Sequence, residues 1–267
     1  MKDDLSFSDI QRSYLGKAKK TVNTFPKLAL ICERALASMW TMKKQWETII
    51  QTQWGAKELP PYQQWVSIYF FRNMTYLRAA YLLAREGSCG ASYDLQRTAY
   101  ETLLRGYLFI ADENEARLFY NLIEGTIEPK AKETLRKRKF YPFEFLLKKL
   151  YRSKSRKSHK EIFHELSRFS HPSIRGVFLD VRHSERQIED CLKMILAFIY
   201  GTIQMMAEGF FELLDDYIKD TVNDTLESIA GFLHEFPLFE PDKEELSSKI
   251  RLREGNFLTV LLQDKRK

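Results

Sequence analysis

The sequence predicts an all-α fold, a bundle of seven or eight helices, and three observations carry that reading. Apolar residues recur with a period near 3.6 through at least six separate segments. Gly (11) and Pro (8) are sparse, which disfavours a turn-rich all-β fold. Only residues 177–181, Val-Phe-Leu-Asp-Val, read as one short strand or as extended loop. A hydrophobic content of 44% and an aromatic content of 13% belong to a globular chain rather than a disordered one. At 267 residues it can bury a substantial core. The expected organisation is one helical domain over 1–236, with a basic segment inserted at 130–160, and a charged tail over 237–267.

The elements follow in order. Pro26 opens a long helix reaching about residue 54, with Leu28, Ile31, Leu36, Met39, Trp46 and Ile49 at apolar positions. Gly55 and the pair Pro60-Pro61 end it and start the next helix, 62–86. The turn Gly87-Ser88-Cys89-Gly90 reverses the chain into a helix over 91–111, which makes an αα-hairpin. Asp112 or Asn114 caps a short helix through Leu122. Pro142 precedes a short helix at 143–151, and a Ser/Lys/Arg run at 153–158 reads as a mobile link. A helix over 159–170 stops at His171-Pro172, because the residue before proline is disfavoured in helical conformation. The longest helix is expected over 185–218 and the last over 220–236, ended by Pro237.

Charge is concentrated. Of the 31 residues 130–160, 13 are Lys or Arg and only Glu133 and Glu144 oppose them, a net +11 in a chain whose total is +6. A polyanion would bind there, through Arg136, Lys137, Arg138, Lys139, Lys148, Lys149, Arg152, Arg156 and Lys157. The alternative is a solvated basic loop. Other classes lose support. The polar, acidic N-terminus is no secretory signal. The apolar run 191–207 is interrupted by Lys193 and Gln204 and falls short of a membrane span. Cys32, Cys89 and Cys191 have no metal-ligand spacing, and their odd number fits reduced thiols in a cytoplasmic protein. Cys89, in its Gly-flanked turn, is the thiol with a claim to exposure. No Gly-rich phosphate loop, CxxC, His-Glu-x-x-His or nucleophile elbow occurs, so no cofactor and no metal are expected.

Two polar clusters stand out. Arg97, Glu101 and Arg105 lie at i, i+4 and i+8 on one face of a helix that is otherwise apolar almost all round. They read either as a structural ion ladder or as an anion site. In the second case Arg97 and Arg105 would hold a phosphate or carboxylate, and Glu101 would orient them or act as a base. His164, Arg168 and His171 lie at i, i+4 and i+7, opposite Ile162, Leu166 and Phe169. Two turns separate the histidines by about 10 Å, too far for one metal ion. The stripe is either a solvated face or a site in which His164 and His171 exchange protons while Arg168 holds phosphate.

Two stretches carry a resemblance. Residues 79–112, with Arg97 and Glu101, and residues 165–176, with Leu166-Ser167 and His171, together resemble an uncharacterised prokaryotic helical family of unknown function. That family pairs an Arg-x-x-x-Glu helix with a later Leu-Ser-x-x-x-His. The likeness covers about half of the chain and implies that the two segments meet in space. The helical architecture also resembles the HEPN (higher eukaryote and prokaryote nucleotide-binding) bundles. Many of these are metal-independent ribonucleases of toxin and phage-defence systems and often act as dimers. Their signature, Arg then four to six residues then His, is matched at Arg152 and His159, whereas Arg168 and His171 stand too close together.

The expected function is therefore nucleic-acid binding, RNA favoured, through 130–160. Its boldest form is metal-free cleavage by a possible homodimer, with His171, His164 and Glu101 as the proton-transfer groups. The competing readings are a non-catalytic helical interaction module and an enzyme using Arg97, Glu101 and Arg105 on a small anionic metabolite.

Overall fold

The computed structural model describes residues 7–53, 59–137, 141–151, 153–170, 184–210, 214 and 216–235. The protein is all-α: ten helices and no strand occur among these residues. They are α1 (Phe7–Thr24), α2 (Pro26–Gln53), α3 (Pro61–Arg85), α4 (Cys89–Ala111), α5 (Glu113–Ile123), α6 (Pro129–Lys137), α7 (Phe143–Leu150), α8 (Ser153–Ser170), α9 (Glu185–Phe210) and α10 (Asp216–Glu235). The strand expected at 177–181 and the tail expected at 237–267 lie outside the described residues.

The boundaries have local causes. Pro26 has no N–H to donate, so the ladder is interrupted where α1 meets α2. Pro60 is extended (φ −51°, ψ 141°), and its carbonyl accepts from the N–H groups of Gln63 and Gln64 at 2.9 and 3.1 Å. The turn between α3 and α4 is a Schellman motif. Gly87 takes φ 83°, its N–H reaches the Ala84 carbonyl at 3.0 Å, and the Ser88 N–H reaches that of Leu83 at 2.8 Å. Asp112 caps α5 by accepting from the Glu115 N–H at 3.4 Å.

Helices α3, α4 and α9 form the centre, each packed on the other two. The apolar run in α9 is explained by this position, since every residue from Cys191 to Met206 is buried. By length and composition α9 could cross a membrane, but 83% of its apolar window is buried inside the bundle. Helices α2 and α10 lie against one flank of α9, and α5, α7 and α8 cover α4. One contiguous hydrophobic cluster runs from Leu28 to Leu233. Polar pairs fix the register along α9. Asn73 Nδ2 donates to Thr202 Oγ1 (3.2 Å), Gln63 Nε2 to the Gly209 carbonyl (3.2 Å) and the Tyr107 hydroxyl to the Gly201 carbonyl (3.1 Å). Close approach requires glycine at 209, where a Cβ would stand 2.8 Å from Val66 Cγ1.

Several boundaries differ from the sequence reading. The helix count is ten rather than seven or eight, because α1 and α6 form where no helix was expected. Helix α1 has a weak apolar stripe, and among its described side chains only Ala18 and Thr21 are buried. Among the described side chains of α6 only Leu135 is fully buried. Helix α8 starts at Ser153, so the run read as a mobile link is helical; Ser155 and His159 are buried there, and Arg156 Nε donates to the Tyr151 carbonyl at 2.8 Å. The helix expected over 185–218 ends at Phe210, and Asp216 starts the next with a carboxylate at its N-terminal dipole. Cys89 is buried in the first turn of α4 rather than exposed.

Candidate nucleic-acid interface

The described part of the basic segment lies on two short helices, α6 and α7, and on the first half of the longer α8. Pro129 starts α6 at the position where its missing N–H is harmless. Lys130, Lys132 and Arg136 then project outward while Leu135 points into the core. Pro142, extended at φ −61° and ψ 154°, leads into α7, which buries Leu146, Leu147 and Leu150. Lys148 and Lys149 fall in the last turn of α7, where the helix dipole favours cations. In α8 the inner stripe is Ser155, His159, Ile162 and Leu166, and the outer face is Lys157, Lys160, Glu161, His164 and Arg168.

These cations have different fates. Lys130, Lys132, Arg136, Lys148 and Lys157 are exposed and make no ion pair among the described residues. Lys160 reaches Glu144 at 3.0 Å, linking α8 to α7. Arg156 is half-buried on the Tyr151 carbonyl. Lys149 is tied down, with its Nζ 3.5 Å from Glu115 Oε1 and 3.6 Å from Asp112 Oδ2. Glu115 is buried and also accepts from the Tyr141 hydroxyl at 2.8 Å. Tyr141 itself is buried with a left-handed backbone, φ 65°. Arg138, Lys139, Arg152 and His171 lie outside the described residues, as does the side chain of Lys137.

The ladder on α4 closes on itself. Arg97 Nε is 3.5 Å and Arg105 Nη2 3.6 Å from the two oxygens of Glu101, and all three side chains are 27–28% exposed. Helices α4 and α8 pack together. The Arg97 guanidinium lies over the Phe163 ring, 4.7 Å from its centroid, and Phe163 stacks on Phe143 at 3.8 Å. The ladder thus borders the helices that carry the basic face. Arg168 pairs with Glu165 at 2.9 Å, and His164 and Arg168 share the exposed side of α8.

Sequence reasoning did not single out the environment of His159. This residue is fully buried, its Nδ1 hydrogen-bonded to the Tyr100 hydroxyl, its ring stacked on Tyr151 at 3.9 Å and parallel to Tyr100 at 5.9 Å. Burial holds its pKa down to about 3, so it is a neutral core group. Burial likewise pushes the Tyr100 and Tyr151 hydroxyls up. The signal was the i, i+3, i+7 relation of His159 to Ile162 and Leu166, which places it on the apolar stripe. Among the described residues no group of three His, Cys, Asp or Glu side chains is arranged to hold a metal ion.

Comparison with protein-family models, with curated proteins and with solved structures gives no match for this chain.

Proposed function

We propose that this protein binds nucleic acid, RNA favoured, across the outer faces of α6, α7 and α8. One observation carries the reading: five exposed cations, Lys130, Lys132, Arg136, Lys148 and Lys157, make no ion pair among the described residues. Like charges held on a folded surface repel one another, and a polyanion relieves that repulsion while releasing its condensed counterions. The test is binding of a fluorescent RNA by the full chain and by a variant with these five residues changed to Ser. The parent should bind, log-affinity should fall linearly with log salt, and the variant should bind more weakly with a shallower slope. Equal binding and equal slope would refute the surface.

A second reading, cleavage without a metal, is favoured by the exposure of His164 on the face of α8 that carries Lys157, Lys160 and Arg168. Histidine exchanges protons near neutral pH, and the flanking cations would hold the scissile phosphate. His159 is out of reach of a ligand on that face, being buried behind it. The roles fall to His164, and to His171 as the sequence pattern implies. His164→Ala and His171→Ala should each abolish cleavage and leave binding intact. Cleavage retained in both variants removes this reading and leaves the binding module.

A further inference from the structure

A second surface, remote in sequence from α6–α8, combines flat aromatic faces with cations. On α2, Trp40, Lys43, Lys44 and Glu47 lie at i, i+3, i+4 and i+7. Trp40 is 48% exposed, although it is the largest kind of side chain a core can use. Lys43 Nζ stands 5.0 Å and Lys44 Nζ 6.0 Å from the Trp40 ring centroid. On α3, Ile68, Phe71, Arg72, Thr75 and Tyr76 form the matching stripe at i, i+3, i+4, i+7 and i+8, with Ile68 also 48% exposed. Lys43 joins the two stripes, lying 5.8 Å from the Phe71 centroid. Arg72 stacks over Tyr76 at 5.3 Å and donates from Nε to its hydroxyl at 2.8 Å. The opposing charge on these stripes is Glu47, 2.6 Å from Lys43.

Three occupants would cover an exposed indole: a protein, a lipid surface or unpaired bases. Protein interface cores are depleted in lysine, because its ammonium must be dehydrated. An interfacial membrane helix needs a continuous apolar face. Here that face is broken by Lys43, Lys44, Arg72 and Thr75. A single-stranded nucleic acid suits both halves of the surface. Its bases stack on aromatic rings whatever the sequence, and its phosphates take up the charge of flexible lysines that swing off the ring. We infer that the α2–α3 face is a site for unpaired nucleotides, with Trp40 as the stacking platform and Lys44 and Arg72 as the phosphate contacts. The inference deepens the nucleic-acid reading but does not require the α6–α8 surface.

The experiment measures binding of an oligo-uridine 12-mer and of an RNA duplex to four proteins. These are the parent chain, Trp40→Ala, Trp40→Phe, and the five-site Ser variant of α6–α8. Retained helical circular dichroism and melting temperature confirm folding, which an exposed position should not disturb. Removing one stacked base contact should weaken 12-mer binding by about tenfold. Trp40→Phe should restore most of it, and duplex binding should not change. The parent's tryptophan fluorescence should be quenched by the 12-mer, and Trp40→Ala should lose that quenching. If the five-site variant loses duplex binding while Trp40→Ala binds the 12-mer like the parent, this inference falls and the α6–α8 surface stands. If the five-site variant binds duplex normally while Trp40→Ala loses the 12-mer, the inference stands and the α6–α8 surface falls. Fluorescence that responds to anionic lipid vesicles but not to the 12-mer overturns it in favour of a membrane face.

Discussion

His159 gives the most decisive test of the packing. Its ring is enclosed by Tyr100 and Tyr151 and its pKa is held to about 3 by burial. In the unfolded chain the same imidazole titrates at about 6.5, as in model peptides. The folded-state value is the lower of the two. The contribution of neutral His159 is therefore complete above the unfolded pKa and is lost progressively as pH falls from about 6.5 toward about 3. At about pH 5 the unfolded state has gained about 1.5 pH units of protonation that the folded state cannot share, or about 2 kcal/mol. That is a sizeable part of a typical folding free energy of about 5–15 kcal/mol. Urea unfolding at about pH 7 and about pH 5 measures it, in the parent and in His159→Phe and His159→Gln. Both variants lack the titrating ring; Gln keeps a hydrogen-bonding partner for the Tyr100 hydroxyl and Phe does not. Whatever each variant does to stability at pH 7, it should lose about 2 kcal/mol less than the parent between the two pH values. The exposed His164 and His234 are common to all three proteins and cancel in the comparison. Identical pH dependence in parent and variants would mean that the ring is protonated in the native state and that the Tyr100–His159–Tyr151 stack is wrong.

Three further outcomes follow from the geometry. Gly209→Ala should destabilise by about 1–3 kcal/mol despite the better helix propensity of alanine, because the stiff Val66 side chain stands at 2.8 Å from the new Cβ; an unchanged melting temperature would mean that α3 and α9 are further apart. Glu101→Ala removes two ion pairs from a face that is a little over a quarter exposed, so chemical denaturation should show a loss of about 1 kcal/mol, well short of the about 3–5 kcal/mol of a fully buried pair. Lys149→Ala removes a cation from the buried Glu115 and should lower the melting temperature, whereas Lys148→Ala should leave it unchanged and weaken RNA binding in a filter or anisotropy assay.

The fold class was legible because it depends on periodicity, which is local. The Gly87 turn, the Asp112 cap and the proline starts were legible for the same reason: each satisfies backbone groups within one turn of itself. Helices α1 and α6 were not, since each is held mainly by what it rests on. A short helix with Leu135 as the one buried anchor among its described side chains has too little pattern to register. The break between α9 and α10 was missed because the apolar period continues across it. The run 153–158 was misread for a related reason: its lysines and serines suggested solvent, but a stripe of Ser155 and His159 faces inward.

The candidate site shows where composition stops informing. Lys148 and Lys149 are adjacent and identical in the sequence, and both lie in the last turn of α7. A helix turns by about 100° per residue, so neighbours on it face different surroundings. Here that rotation leaves Lys148 in solvent and brings Lys149 to Asp112 and Glu115, residues more than thirty positions earlier in the chain. The charge of Lys149 offsets a buried carboxylate, and any RNA that drew it outward would take a cation away from Glu115. Net charge along a segment therefore overstates what its surface offers a polyanion. The number that matters is the count of cations left without a carboxylate after folding, and that count is fixed by which acidic residues the tertiary fold brings underneath.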